Sequence, residues 1–185
     1  MLSKHIIFVG FMGVGKSTIG QRVAKVLSRD FIDTDKAIEQ RFQASIPQIF
    51  EQWGEPAFRE AERETILDIC QDNSSKVIAL GGGAYLNEDI RRVCQQCGIV
   101  FYLHLSWEQW LKRLPLLRDD RPLLQHKSLA EIEELYQRRQ AIYEVNTTKV
   151  VVDGLEPDEA AEQVLQRLQH LWKQEKETDS APRGT

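Results

Sequence analysis

The sequence predicts an α/β fold, a three-layer αβα arrangement with helices on both faces of a five-stranded parallel sheet. Three observations carry this prediction. Short runs rich in Val, Ile and Phe alternate along the chain with segments of helical spacing. The first, third and fourth of those runs are almost wholly apolar, as expected of strands covered on both faces. The first of them leads into Gly10-Phe11-Met12-Gly13-Val14-Gly15-Lys16-Ser17, which fits G-x-x-x-x-G-K-[ST], the phosphate-cradling loop between a strand and a helix.

Each element has its own signal. His5-Ile6-Ile7-Phe8-Val9 is the first strand. Ile19, Val23, Val26 and Leu27 then mark one side of a helix over residues 17–28. Phe31-Ile32-Asp33-Thr34-Asp35 reads as a short strand ending in acid, and Ala37, Ile38 and Phe42 continue helically. Ser45-Ile46-Pro47-Gln48 has the form of a helix start, with Ser as cap, Gln at the third position and Pro in the first turn. Gly54 and Pro56 break that helix, and a long one follows over about 57–70. Val77-Ile78-Ala79-Leu80 is the third strand, with Gly81-Gly82-Gly83 directly behind it. Asn87 caps a helix to Cys97, and Ile99 opens a fourth strand that ends at Leu105. Ser106-Trp107-Glu108-Gln109 is a second capping box. Residues 114–127, with Pro115, Pro122 and a cluster of charges, read as a loop. Ser128-Leu129-Ala130-Glu131 caps a helix to about Val145. Lys149-Val150-Val151-Val152 is the fifth strand, and Pro157 opens a last helix that ends near Lys173. Residues 174–185 form a polar, frayed tail. The 185 residues make one domain with no internal repeat.

Composition narrows the function. Hydrophobic residues at 42% and charged residues at 28% are those of a globular protein. A net charge of −4 argues against nucleic acid or an anionic membrane as the main partner. No secretory leader precedes the glycine loop, and no apolar segment approaches the ~20 residues of a membrane span. With these absences and only three cysteines, a cytoplasmic location is expected. Cys94-Gln95-Gln96-Cys97 closes a helix where a redox pair would open one, and it lacks the second pair a zinc site needs. It reads as two small residues at a helix end.

Ligands of parallel sheets bind beyond the carboxyl ends of the strands. That edge collects the glycine loop, Asp33 and Asp35, Gly81-Gly82-Gly83 and the loop after Leu105. Gly10, Gly13 and Gly15 let the loop turn its N–H groups toward an anion, and the following helix adds its positive end. Lys16 can reach the β- and γ-phosphates of a nucleoside triphosphate, and Ser17 can hold Mg²⁺. The third strand ends in glycine instead of a carboxylate, so Asp33 is the candidate for the Mg²⁺ shell. Asp35 is placed to accept a proton from an attacking hydroxyl. Either aspartate could instead cap the next helix. The triple glycine allows close approach of a ligand or serves only as a turn. Arg59, Arg121, Arg138 and Arg139 could grip an anionic substrate or lie on solvated faces.

The glycine loop through Thr18, Asp33-Thr34-Asp35, Phe58-Arg59, Gly81-Gly82-Gly83, Arg121-Pro122-Leu123-Leu124 and Arg139-x-x-x-Tyr143 fall in the order and approximate spacing of shikimate kinases. From about residue 4 to residue 170 the chain resembles that family. The resemblance implies a P-loop kinase fold of the nucleoside-monophosphate-kinase-like type. It implies transfer of the ATP γ-phosphoryl group to the 3-hydroxyl of shikimate, on the route to chorismate and the aromatic amino acids. A single kinase domain would span 1–173, with a substrate-binding helical region at about 34–62 and a mobile lid at about 114–126. Lys16, Asp35 and Arg121 would be catalytic. Gly13, Val14, Gly15, Lys16, Ser17, Thr18 and Arg121 would bind ATP, with Ser17 and Asp33 holding Mg²⁺. Asp35, Arg59, Gly81, Gly82, Gly83 and Arg139 would contact shikimate, the two arginines at its carboxylate. The adenine falls to Arg113 or Arg118, and to Pro157. The lid departs from the family, because Leu114-Pro115-Leu116-Leu117 is unusually apolar. A monomer is expected. The alternative acceptor is another small hydroxylated acid such as gluconate. A guanine-nucleotide switch would carry Asn-Lys-x-Asp, which Asn146-Thr147-Thr148-Lys149 does not fit.

Overall fold

The computed structural model describes residues 4–72, 74–117, 124 and 127–180. Its sheet has five strands: His5–Val9 (β1), Phe31–Asp33 (β2), Val77–Ala79 (β3), Gly98–His104 (β4) and Thr148–Val151 (β5). All pair in parallel, in the order β2-β3-β1-β4-β5. β1 and β3 are buried along their whole length, as is β4 up to its last residue. This is why these strands read as unbroken apolar runs.

The helices are Lys16–Leu27 (α1), Thr34–Phe42 (α2), Ile46–Gln71 (α3), Glu88–Cys97 (α4), Trp107–Leu111 (α5), Leu114–Leu117 (α6), Leu129–Tyr143 (α7) and Pro157–Ser180 (α8). They flank the sheet, with α1 packed on α8 and α3 on α4. None of them, among the described residues, is long and apolar enough to cross a membrane. The caps sit where the sequence places them. Asn87 accepts from the Asp89 and Ile90 N–H groups, and Ser128 pairs with Glu131 in a capping box.

Three boundaries differ clearly from the sequence reading, and one break that it places is present. The acidic strand stops at Asp33, because Asp33 caps α2 and so draws Thr34 and Asp35 into its first turn. The break read at Gly54 holds, and Ile46–Gln71 is two helices meeting at a kink. Gly54 leaves helical angles (φ 80°, ψ 165°) and the helix resumes behind it. Leu114–Leu117 is a helical turn, not loop, and its Leu114 and Leu117 pack back on the core while Leu116 is exposed. The last helix does not end near Lys173 but runs to Ser180.

Besides the main core there is a small separate one. Ile38, Ile49, Phe58 and Ala61 pack between α2 and α3, with Phe42 and Phe50 beside them. Burying Phe58 alone stabilises this lobe by about 2–3 kcal/mol. It helps fix the helix that carries Arg59, which Ile66 also ties to the main core.

Candidate active site

Beyond the carboxyl ends of the strands lies one cleft of roughly 800 Å³. Gly13 to Ile19 form one wall, and Asp33, Asp35, Arg59, Glu62, Gly82, Gly83 and Arg139 line it too. Far-separated segments meet here because a parallel sheet brings every strand's carboxyl end to the same edge.

The glycine loop lines this cleft from Met12 onward. Gly13 and Gly15 have φ of 75° and 105°, angles that residues with a Cβ avoid. Lys16 is buried, and its Nζ donates to the carbonyls of Gly10 (2.9 Å) and Phe11 (3.2 Å). Ser17 Oγ donates to Asp33 Oδ2 at 2.5 Å. The other oxygen of Asp33 accepts from the N–H groups of Asp35 (3.1 Å) and Lys36 (3.3 Å). Asp33 is therefore both a helix cap and a partner of the loop serine. It makes this contact although β2 is the edge strand and β3 separates it from β1.

The acceptor side is built around the triple glycine. Thr34, fully buried, accepts from the Gly81 N–H (2.9 Å) and donates to the Ala79 carbonyl (3.3 Å), so it clips α2 to the end of β3. A Cβ on Gly81 would collide with the Asp35 carboxylate and lie 3.2 Å from Glu62 Oε1. A Cβ on Gly83 would lie 2.9 Å from Arg59 Nη1. At Gly81 and Gly83 the missing Cβ leaves room for the Asp35 carboxylate and the Arg59 guanidinium as they stand. Arg59 Nη1 donates to Glu62 Oε2 (2.8 Å), and its Nη2 to Glu55 Oε1 (3.1 Å). Burial pulls the Arg59 pKa down, but the two glutamates outweigh it and hold the guanidinium charged. Glu62 is itself buried, which pushes its carboxyl above the ordinary range while Arg59 pulls the other way. Arg139, 6% exposed, donates from Nη1 to the Gly82 carbonyl (3.3 Å), which also accepts from the Tyr143 hydroxyl (2.7 Å). Its Nε is buried without a partner among the described residues, and burial lowers its pKa. A buried donor left open beside a second arginine suits an incoming carboxylate.

Arg113, Val152, Leu155, Glu156, Pro157 and Ala160 line the same cleft, a largely apolar group with one guanidinium and one carboxylate. Arg113 donates to the carbonyls of Gly13 (2.9 Å) and Val14 (3.2 Å).

Comparison with known proteins decides the family. Residues 12–169 match the family model described as shikimate kinase. The chain is 52% identical over 170 residues to a shikimate kinase of Geobacillus kaustophilus, covering 91% of this chain and 90% of that one. It is 47% identical to the enzyme of Bacillus subtilis over 169 residues, 91% of each. The chain belongs to the shikimate kinase family. A solved shikimate kinase from Acinetobacter baumannii, in complex with shikimate, superposes with a TM-score of 0.83 at 35% identity, over 90% of this chain and 93% of that one.

In this member of the shikimate kinase family the structure brings together Gly13, Val14, Gly15, Lys16, Ser17, Thr18, Asp33, Asp35, Arg59, Gly82, Gly83, Arg113, Arg139 and Pro157 in one cleft. Gly81 stands just behind it, against Asp35. Arg118 and Arg121 lie outside the described residues. Arg138 pairs with Glu134 on the exposed side of α7 and takes no part. Sequence reasoning missed Thr34 and Glu62. Thr34 sits between the two aspartates of the acidic motif. Glu62 follows Arg59 by three, a spacing that places both on one helix face. The cysteines are far from the cleft: Cys97 Sγ lies 2.7 Å from Cys70, and contact with Cys94 holds the Cys70 thiol at about 12, the reverse of a redox-active thiolate. Among the described residues no cluster of His, Cys, Asp or Glu could by itself hold a metal ion.

Proposed function

We propose that these residues divide between them the transfer of the ATP γ-phosphoryl group to the 3-hydroxyl of shikimate, giving shikimate 3-phosphate and ADP. One observation carries the reading. A single cleft holds a phosphate loop on one wall and, on the other, Asp35 beside two arginines suited to a carboxylate. A small hydroxylated acid fits that acceptor half, and membership of the family selects shikimate over gluconate.

In this mechanism Arg59 and Arg139 grip the substrate carboxylate, with the Gly82-Gly83 backbone against its ring. The Asp35 carboxylate accepts the proton of the attacking hydroxyl as the new O–P bond forms. The bond between the γ-phosphorus and the bridging oxygen breaks, and ADP keeps that oxygen. Lys16 leaves its carbonyl partners to meet the phosphates, and Arg121 closes from the lid at 114–126 to stabilise the charge in transfer, excluding water as a competing acceptor. Arg113, or Arg118, and Pro157 flank the adenine.

Ser17 and Asp33 are hard oxygen donors 2.5 Å apart, a pair that suits Mg²⁺ bound chiefly through substrate phosphates. The ion would supply charge neutralisation between the β- and γ-phosphates. We further assign the protein to the cytoplasm as a monomer, without nucleic acid or membrane partners.

The test is ADP release with ATP and Mg²⁺ and, in turn, shikimate, gluconate and nucleoside monophosphates. Turnover with shikimate alone is expected. Turnover that ignores shikimate refutes the reading.

A further inference from the structure

A phosphate loop has two sides. Its N–H groups must face the anion, so its carbonyls must face away and find donors there. Here each carbonyl from Gly10 to Val14 has one. Lys16 serves Gly10 and Phe11, and Arg113 serves Gly13 and Val14. The Met12 carbonyl accepts from Trp110 Nε1 at 2.7 Å.

These donors are not alike. Lys16 has a second task at the phosphates, and Arg113 is a half-buried side chain lining the nucleotide slot. Trp110 is completely buried, stacked on Trp107 (5.3 Å, 10°) and edge-on to Phe11 (5.2 Å). Its only polar atom is that N–H. Its helix is anchored in turn, because Ser106 caps α5 and donates its own N–H to Asp153 (2.7 Å).

The Met12–Gly13 peptide is trans, so its C=O and N–H point in opposite directions. Holding the Met12 carbonyl outward turns the Gly13 N–H inward. Gly13, at φ 75°, has no Cβ to stop that peptide from flipping. We propose that Trp110 is a positioning residue for the phosphate donor, locking the Met12–Gly13 peptide so that the Gly13 N–H faces the nucleotide phosphates.

The inference rests on the cleft being the ATP site, and the wild-type protein checks that first: it must bind ADP in a calorimetric titration. Two variants then isolate the N–H. Trp110→Phe keeps an aromatic ring. Site-specific β-(3-benzothienyl)alanine at 110 keeps the shape of the indole and replaces only the N–H by sulfur. Both are expected to raise the Kd for ADP and the KM for ATP about five- to tenfold, the effect of one lost hydrogen bond to a buried carbonyl, with the KM for shikimate within twofold. The isostere decides if the Phe variant does not fold. An isostere that binds ADP like the wild type overturns the proposal, as does an equal rise in both KM values. Wild-type protein that binds no ADP overturns the ATP-site reading instead.

Discussion

Ser17 Oγ and Asp33 Oδ2 are 2.5 Å apart, while Asp33 Oδ1 caps the helix that carries Asp35. One carboxylate therefore joins the start of the helix behind the phosphate loop to the start of the helix that carries Asp35. The two roles are separable by mutation. Asp33→Asn keeps an oxygen for the cap but offers one acceptor fewer and no charge. We expect its melting temperature to stay close to that of the wild type while the Mg²⁺ concentration for half-maximal activity rises. Asp33→Ala loses the cap as well, which costs about 1 kcal/mol, or roughly 2–4 °C in Tm. Thermal melts and Mg²⁺ titrations of the pair check this. An unchanged Mg²⁺ requirement in both variants would make Asp33 a cap and nothing more.

Asp35 lies against Gly81 and lines the cleft, where the proposed mechanism gives it the hydroxyl proton. Asp35→Asn removes the proton acceptor and keeps the shape. Its kcat should fall by about 10²–10⁴, the usual worth of general-base catalysis, with the KM for ATP within twofold. Steady-state kinetics in both substrates measure this, and an unchanged kcat removes Asp35 from the mechanism.

Much of this site was legible in the sequence because its signals are local. The glycine loop announces itself by spacing, and its flanks are a strand and a helix as the pattern requires. The parallel sheet then implies that Asp33, Asp35 and the triple glycine share an edge. What stayed hidden depends on contacts between elements. That Asp33 caps a helix while also holding Ser17 follows from how β2 and α1 approach each other, which no spacing encodes. The break at Gly54, by contrast, was legible, because Gly and Pro two residues apart interrupt a helix, and Gly54 does leave helical angles. Glu62 reads as an ordinary charged helix residue until burial places it between Arg59 and Gly81.

Glu62 yields a pH prediction. Its pKa is raised by burial, so its contribution to stability is fully present below the unfolded value of about 4.3 and is lost as pH rises through the higher folded value. Glu62→Gln has no such loss. The Tm of the wild type relative to this variant should therefore decline as pH rises from about 4 toward 7. Function should move the other way, because only the ionised carboxylate fixes Arg59 by a charge-assisted bond. In the wild type the KM for shikimate should fall over the same window. In Glu62→Gln it should stay about three- to tenfold higher and respond less to pH. Melting and initial-rate series across that range test both signs, and a variant with wild-type KM at pH 7 would leave Glu62 without a positioning role.

Arg139 has a buried Nε without a partner among the described residues, and its guanidinium lies 5.7 Å from the Phe11 ring centre. Arg139→Lys keeps the charge but loses the planar fork and the stack. If the fork binds the carboxylate, Lys should raise the KM for shikimate nearly as much as Ala does, about tenfold or more, and neither should change the KM for ATP beyond twofold. Full retention of affinity by the lysine variant would mean that charge alone acts here. The measurement is initial rates against each substrate at saturation of the other.

The triple glycine allows a discrimination within three consecutive residues. A methyl on Gly82 would meet Met12 at 3.7 Å and Arg139 Nη1 at 3.8 Å, ordinary contacts that the fold tolerates. It would nevertheless occupy the wall of the acceptor cleft. A methyl on Gly81 would strike the Asp35 carboxylate and crowd Glu62 from behind. Gly82→Ala should therefore raise the KM for shikimate and largely spare kcat. Gly81→Ala should lower kcat at least tenfold, because a displacement of the proton acceptor by a fraction of an ångström is felt in the chemical step more than in binding. Kinetics of the two variants, each with a thermal melt to establish folding, separate space needed by the enzyme from space needed by its substrate. If the two variants behave alike, the crowding behind Asp35 is not what keeps position 81 a glycine.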